Sequence, residues 1–308
     1  MDLSVVLVGP DWACWVQLAR RLANTGDRGP RASGYRNSSG YFRLSAPALP
    51  SGRPLDTIAG VIPYFELREI PLWGGASLAA FGTLVFTGVV VGMLFALRRA
   101  SQLGIPDREM ANAIVCAVAA GFLGSHAMVL LSAGPEETGA REWLAFWNGM
   151  DSFGGFFGAL LGLALYFRRR PWVCHAEVLL QALVMGWVFG RLGCTLVHDH
   201  VGRRTDFFLA IQFPNGARHD LGLYEFLYTL LVLVPAVLWL NRRQRPAGTT
   251  LWVIPLLYAP VRFLLDFLRH TDLPNPDPRY AGLTSSQYAC LIALGIACFF
   301  WRRTRRAE

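Results

Sequence analysis

Residues 77–99 read SLAAFGTLVFTGVVVGMLFALRR: twenty-one residues without an ionisable group, closed by Arg98 and Arg99. A run of that length and apolarity spans a hydrocarbon layer as a helix, which needs roughly 20 residues. Period-two alternation is absent, so a half-buried strand does not fit. Backbone groups in lipid must also be satisfied within the segment, which favours a helix. Six further runs follow at about 112–132, 147–167, 173–194, 221–240, 250–268 and 284–301. The expected fold is therefore an all-α polytopic membrane protein with seven transmembrane helices.

Composition agrees. The 308 residues are 53% hydrophobic and only 16% charged, with mean hydropathy +0.35, where a soluble domain carries about 25% charged residues. A disordered chain is excluded, and a soluble enzyme does not fit. The net charge of +8 raises nucleic acid as a partner. The arginines sit instead at the ends of apolar runs, so no nucleic acid is expected. Six cysteines (Cys14, Cys116, Cys174, Cys194, Cys290, Cys298) lack CxxC spacing. Most lie in apolar runs, where Cys behaves as a small hydrophobe, and neither a disulfide framework nor a zinc ribbon is expected.

Orientation comes from the arginines. Thirteen follow the first, third, fifth and seventh runs, from Arg98 to Arg306, against seven in the opposite loops. The positive-inside rule places the thirteen in the cytoplasm, so the membrane core starts outside and its C-terminus is cytoplasmic. Residues 1–60 are rich in Gly, Ser, Pro and Arg over much of their length. They read as a disordered extension or a misassigned start, ahead of a seven-helix domain over 61–304. Leu3 to Leu18 is a weak signal-peptide candidate, interrupted by Asp11.

The side with fewer arginines carries the polar sequence. Gly190-Arg191-Leu192-Gly193-Cys194 through His198-Asp199-His200-Val201-Gly202-Arg203 leaves the fourth run, and Arg218-His219-Asp220 with Leu223-Tyr224-Glu225 enters the fifth. Arg262 and Asp266 lie inside the sixth, and Asp151 opens the glycine-rich part of the third. Ionisable groups at membrane depth are costly, and so are functional candidates. Arg262 and Asp266, spaced i, i+4, either pair with each other or face a polar cavity. Several arginines on one cavity suit a phosphate, which a guanidinium binds bidentately, and the commonest phosphate at a membrane is a lipid headgroup. Gly154, Gly158 and Gly162 form a ridge that serves close helix packing or lets a lipid approach the backbone. His198-Asp199-His200 with His219-Asp220 could supply metal ligands, but adjacent residues point in different directions and no HExxH is present. No metal and no cofactor are expected.

In this order the segments resemble the bacterial prolipoprotein diacylglyceryl transferase family, over roughly residues 60 to 304. Ser77 to Gly82 is similar to the opening of its first span. Gly154-Gly155-Phe156-Phe157-Gly158 resembles its HGGLxG segment, and Gly190 to Arg203 its GRxGNFxNxExxGR signature. Arg218-His219 with Leu223-Tyr224-Glu225 resembles RHPSQLYE. Tyr258-Ala259-Pro260-Val261-Arg262-Phe263 with Asp266-Phe267 resembles YGxxRFxxEFxR, and Leu283-Thr284 with Gln287 resembles LTxGQ.

The resemblance implies a multi-pass enzyme of the bacterial inner membrane that moves the diacylglyceryl group of phosphatidylglycerol onto the lipobox Cys thiol of a prolipoprotein, releasing glycerol 1-phosphate. Its partners would be phosphatidylglycerol and prolipoprotein signal peptides. Arg191 and Arg262 would bind phosphate and stabilise the departing dianion. Gly154, Gly155, Gly202, Arg203, Arg218, His219, Tyr224, Glu225 and Asp266 would line the substrate site. Departures stand at Phe153 for the family His, Phe81 for Tyr, Cys194 and Val197 for two Asn, and Asp199 for Glu. A thiol with an ordinary pKa of about 8.5 needs a proton acceptor. With Phe153 in place, His198, His200 (with Asp199) or His219 is expected to supply it. The alternatives are a related transferase with another acceptor or phospholipid, and a catalytically silent lipid-binding protein.

Overall fold

The computed structural model describes residues 62–73, 76–133, 151–274 and 276–306. The expected extension over 1–60, residues 147–150 of the third run, Cys14 and Arg141 lie outside the described residues.

The chain is predominantly α-helical. Its helices are α1 (Ala80–Gln102), α2 (Asp107–Ala133), α3 (Ser152–Phe167), α4 (Val173–Val197), α5 (Leu221–Leu240), α6 (Thr249–Leu265, extended by a 3-10 turn Asp266–Leu268) and α7 (Ser285–Arg305). Among the described residues, five are long and apolar enough to cross a membrane: α1, α2, α4, α5 and α6 with its 3-10 turn. α3 has 16 residues, about 24 Å at 1.5 Å per residue, short of a hydrocarbon core of about 30 Å. α7 has the length, with 21 residues, but ends in Arg302, Arg303 and Arg305.

Strands, absent from the all-α expectation, are confined to segments between and before the helices. β1 (Ile62–Pro63), β5 (Ile211–Phe213), β6 (Gly216–Asp220) and β4 (Val201–Arg204) form one sheet in that spatial order, with β1 parallel to β5 and the other pairs antiparallel. β2 (Glu69–Pro71) pairs with β3 (Ser77–Ala79), and β7 (Arg279–Tyr280) with β8 (Leu283–Thr284). Gly216, at φ 113°, closes the β5–β6 hairpin by pairing with Phe213, a backbone geometry glycine adopts without steric cost.

Packing is inside-out. Phe86, Leu94, Val115, Leu131, Phe157 and Ile292 face outward, while Arg191, Arg218, Glu225, Arg262 and Asp266 are buried. Two helix pairs meet backbone to backbone. A Cβ on Gly88 of α1 would stand 2.5 Å from the Gly186 carbonyl oxygen of α4, and one on Gly158 of α3 only 2.2 Å from that of Ala120 in α2. The glycine ridge of α3 thus packs on α2. The apolar core runs through Ala96, Ala100, Met110, Val178 and Ala182, and through Val184, Leu233, Val237, Leu240 and Ile254.

α5 contains one π turn at Thr229–Leu233, directly before Val234-Pro235. Proline has no N–H and its ring clashes with the carbonyl four residues back; widening the preceding turn relieves both. Caps fix the helix starts. Asp151 Oδ1 accepts from Gly154 N at 2.7 Å, and Asp220 Oδ1 from Leu223 N at 2.8 Å. Thr284 and Gln287 form a capping box on α7. Asp151, singled out as an ionisable group near the membrane, therefore serves as the N-cap of α3. The end of α4, the start of α5, the end of α6 and the start of α7 converge beside the four-stranded sheet, and the buried charges gather there.

Candidate active site

α4 delivers Arg191, α5 delivers Glu225, and α6 delivers Tyr258 and Arg262 one turn apart. Glu225 joins them. Arg191 Nη2 stands 3.0 Å from Glu225 Oε2, Arg262 Nε stands 3.2 Å from Oε1, and the Tyr258 hydroxyl donates to Oε2 at 3.0 Å. The Glu225 side chain is 2% exposed and each arginine side chain 9%. Removing a charge from water this completely is expensive and tolerable only with close partners. Two guanidinium groups from separate helices thus share one carboxylate.

Arg262 is further oriented by Asp266. Nη1 pairs with Asp266 Oδ1, and Nη2 donates to Ser286 Oγ at 3.1 Å. Asp266 Oδ2 accepts from the Thr284 hydroxyl and from Ser286 Oγ at 2.5 Å. Both sequence alternatives for this arginine coexist: it pairs with its i+4 carboxylate and also enters a buried polar cluster. Arg191 stacks over Trp187, with 4.6 Å from its guanidinium carbon to the ring. Its Nε is buried without a hydrogen-bond partner among the described residues, as is Glu225 Oε1, whose contact with Arg262 is an ion pair of poor alignment. The site therefore holds an unused guanidinium donor and an under-used carboxylate oxygen.

Beyond α4 the chain turns at His198, which takes the left-handed conformation at φ 52°. The turn separates the three residues of His198-Asp199-His200. The side chains of Asp199 and His200 fold back on the end of α4: His200 Nδ1 bonds Asp199 Oδ1, and Arg191 Nη1 stands 3.4 Å from His200 Nε2 and 3.7 Å from Cys194 Sγ. Burial works against ionisation of Asp199, but the His200 ring and Arg191 outweigh it and hold the carboxyl below its usual range.

His198 faces the sheet. Its Nδ1 stands 2.6 Å from Asp220 Oδ2 and its Nε2 meets the Phe65 carbonyl oxygen, between the rings of Tyr64, Phe65 and Phe213. Both partners are acceptors, so the ring satisfies both only as an imidazolium. Burial alone would lower its pKa; the bond to Asp220, that carboxylate's charge and the Phe65 carbonyl raise it instead.

The other sequence candidates lie around this centre or apart from it. His219 Nδ1 stands 2.9 Å from the Tyr224 hydroxyl, and burial lowers its pKa. Arg218 is 1% exposed and bonds Asp272 through both terminal nitrogens, with Nη1 also donating to the Gly202 carbonyl at 3.1 Å. It fastens β6 to β4 and to the segment after α6. Gly202 sits where a Cβ would be 2.7 Å from His219 Cβ and 2.8 Å from the Leu268 carbonyl oxygen. Arg203 is exposed and donates to the Arg269 carbonyl at 3.3 Å. Gly154 and Gly155 lie on the face of α3 packed against α2, Gly154 on the Gly124 carbonyl.

Tyr258, Ser286 and Trp187 belong to the cluster and were missed as candidates, although Tyr258 lies inside a quoted motif. Signals existed: Tyr258 and Trp187 each lie four residues before a buried arginine, one turn along the same helix face. Ser286 lies inside the Thr284–Gln287 capping box.

A sequence model described as prolipoprotein diacylglyceryl transferase matches residues 70–302. A phosphatidylglycerol–prolipoprotein diacylglyceryl transferase of Nitratidesulfovibrio vulgaris is 30% identical over 237 residues, covering 74% of this chain and 89% of that protein. One from Chromohalobacter salexigens is 29% identical over 238 residues (74% and 89%), and the enzyme numbered 2 in Clostridium perfringens is 24% identical over 244 residues (71% and 88%). With a match across most of its length and with buried arginines on α4 and α6 meeting at one carboxylate, the chain belongs to the prolipoprotein diacylglyceryl transferase family.

Proposed function

We propose that this chain transfers the diacylglyceryl group of phosphatidylglycerol to the lipobox cysteine of prolipoproteins, in a bacterial inner membrane, and that Arg191 and Arg262 are its phosphate clamp. The supporting observation is the sharing of Glu225 by both guanidinium groups, with Arg191 Nε left without a partner among the described residues. An arriving phosphodiester offers oxygens to both, where charge-assisted bonds are strongest. We further propose seven crossings, with the N-terminal side of the core outside and the C-terminus cytoplasmic, by the distribution of arginines. The clamp then faces the outer leaflet. Residues 61–304 form the catalytic domain.

In the reaction the acceptor sulfur attacks the diacylglyceryl carbon that carries the phosphate. A C–S bond forms, and the C–O bond breaks with its electron pair passing to the phosphate oxygen. Glycerol 1-phosphate leaves as Arg191 and Arg262 take up its added charge. The thiol proton needs an acceptor. His200 suits this role: Asp199 holds its Nδ1–H, so the lone pair is on Nε2, where it accepts from Arg191 Nη1 at 3.4 Å and is released when an arriving phosphate draws that nitrogen away. His198 has no lone pair to offer while both nitrogens face acceptors, so its part is positioning. Asp220 both accepts from His198 and caps α5, five residues before Glu225.

The test is transfer by the purified chain in mixed micelles of phosphatidylglycerol, with a lipobox peptide followed by mass spectrometry. The expected product is a thioether adduct, lost in Arg262→Ala. Headgroup binding without adduct would favour a silent lipid-binding protein, and an adduct only with another phospholipid or acceptor would reassign the substrate.

A further inference from the structure

The corner made by Cys194, Asp199 and His200 has a chemistry that the transfer reaction does not exhaust. One ligand atom from each residue lies within 4.8 Å of those of the other two. In a tetrahedral zinc centre, with bonds of about 2.0–2.3 Å, ligand atoms stand somewhat under 4 Å apart, so side-chain rotations close the set. Cys194 is buried, the Asp199 side chain is 2% exposed and the His200 side chain 20%. Asp199 Oδ2 is buried without a hydrogen-bond partner among the described residues. Its other oxygen bonds His200 Nδ1; that bond opens as the carboxylate and the His200 ring turn to share one ion. Cys194 Sγ and His200 Nε2 both already face a cationic group, Arg191 Nη1, at 3.7 and 3.4 Å.

We infer that Cys194, Asp199 and His200 form an inhibitory binding site for a thiophilic divalent cation, with Zn2+ as its fitting occupant. Sulfur, imidazole and carboxylate together select Zn2+ or Co2+ over Mg2+ or Ca2+, which take oxygen ligands. Thiolate and carboxylate neutralise the two charges of the ion, which permits it beside Arg191. Binding forms the Zn–S bond and releases the thiol proton to solvent. The ion displaces Arg191 Nη1 from both atoms and occupies the His200 lone pair. It therefore removes the proton acceptor and draws one arm of the phosphate clamp aside. The site needs only the three ligands; the inhibition rests on the function proposed above.

Cobalt distinguishes the two. The full chain, purified in detergent and stripped with chelator, is titrated with Co2+. One equivalent is expected to give intense visible d–d bands and a sulfur-to-cobalt charge-transfer band, both bleached by Zn2+. Cys194→Asn, which installs the residue the family pattern places there, is expected to lose the charge-transfer band. His200→Ala is expected to weaken binding at least about tenfold, the smallest effect seen when even an outer partner of a ligand is lost. Cys298→Ser, at an exposed cysteine, keeps the spectrum and controls for other thiols. No charge-transfer band in the wild type, or a band persisting in folded Cys194→Asn, overturns the site. In the transfer assay Zn2+ is expected to inhibit the wild type and spare the activity that Cys194→Asn retains; cobalt binding without inhibition by zinc overturns the regulatory role. A chain without transfer activity still gives the spectral answer.

Discussion

Replacing Glu225 by Gln removes one negative charge and almost nothing else. The amide carbonyl still accepts from Tyr258, and the side-chain volume is retained. Two guanidinium groups that had stood 3.0 and 3.2 Å from carboxylate oxygens are left in a cluster that solvent scarcely reaches. Arg262 keeps Asp266, so the charge that loses its ion-pair partner is that of Arg191; breaking a buried ion pair by losing one partner costs about 3–5 kcal/mol. At about 2–4 °C per kcal/mol for a chain of this order of size, the melting point in detergent should fall by roughly 6–20 °C. A second reading separates this from general damage. The freed arginines should take up an oxyanion, so inorganic phosphate or glycerol phosphate should raise the melting point of Glu225→Gln by about 2–3 kcal/mol of stability near a hundredfold excess over its dissociation constant. The wild type should gain less, since the anion must first displace Glu225. Thermal unfolding followed by intrinsic Trp fluorescence, with and without phosphate, measures both. A variant that melts with the wild type and gains nothing more from phosphate would refute the shared-carboxylate clamp.

Other expectations follow from the same geometry. Arg262→Lys keeps the charge but loses the fork that reaches Glu225, Asp266 and Ser286 together; with a charged hydrogen bond contributing about 1.5–3 kcal/mol, turnover should fall about ten- to hundredfold in the micelle assay, and an unchanged rate would remove Arg262 from the clamp. The raised pKa of His198 means its contribution to stability is complete below the unfolded value of about 6.5 and is lost as pH rises through the higher folded value. Melting points of the wild type should therefore decline over that window while those of His198→Gln do not, and parallel curves would contradict the imidazolium. Gly158→Ala sets a methyl 2.2 Å from the Ala120 carbonyl oxygen, and overpacking of this kind costs about 1–3 kcal/mol; a lowered melting point is expected, and an unchanged one would mean that α2 and α3 are not in backbone contact.

The helices were legible because their signal is local. Residues 77–97 carry no ionisable group, and the capping residues Asp151, Asp220 and Thr284 mark where helices begin. The sheet was not, because its strands have two to five residues and its β1–β5 pairing joins Ile62 to Ile211. No pattern within either segment encodes so distant a partner. The site was legible by halves. Arg191, Glu225, Arg262 and Asp266 stood out as charges at membrane depth, but only the i, i+4 relation of Arg262 and Asp266 can be read along a chain. Glu225 reaches its arginines through the packing of three helices, which sequence spacing does not contain. His198, Asp199 and His200 share a tripeptide, yet the left-handed turn at His198 sends the first to the sheet and the other two to Arg191. That turn is unexpected from sequence, since the residue that ends a helix this way is usually glycine.

The two carboxylates that hold Arg262 differ in a way that bears on turnover. Asp266 accepts from Arg262, Thr284 and Ser286, and Thr284 is fixed as the cap of α7. Rotating Asp266 away would break bonds on two helices. Glu225 contacts Arg262 through an oxygen with no aligned hydrogen bond, while its other oxygen accepts from Tyr258 and pairs with Arg191. Of the two, Glu225 is the contact a phosphate oxygen can replace at lower cost. Asp266 therefore preserves the direction of the guanidinium while Glu225 holds the place of the substrate's charge between turnovers. On that division of labour Asp266→Asn should lower the catalytic rate by letting Arg262 swing, whereas Glu225→Gln should strengthen anion binding even as it weakens the fold. If both variants instead lost anion binding in parallel, measured by phosphate-dependent melting, the two carboxylates would have one role and the exchange argument would fail.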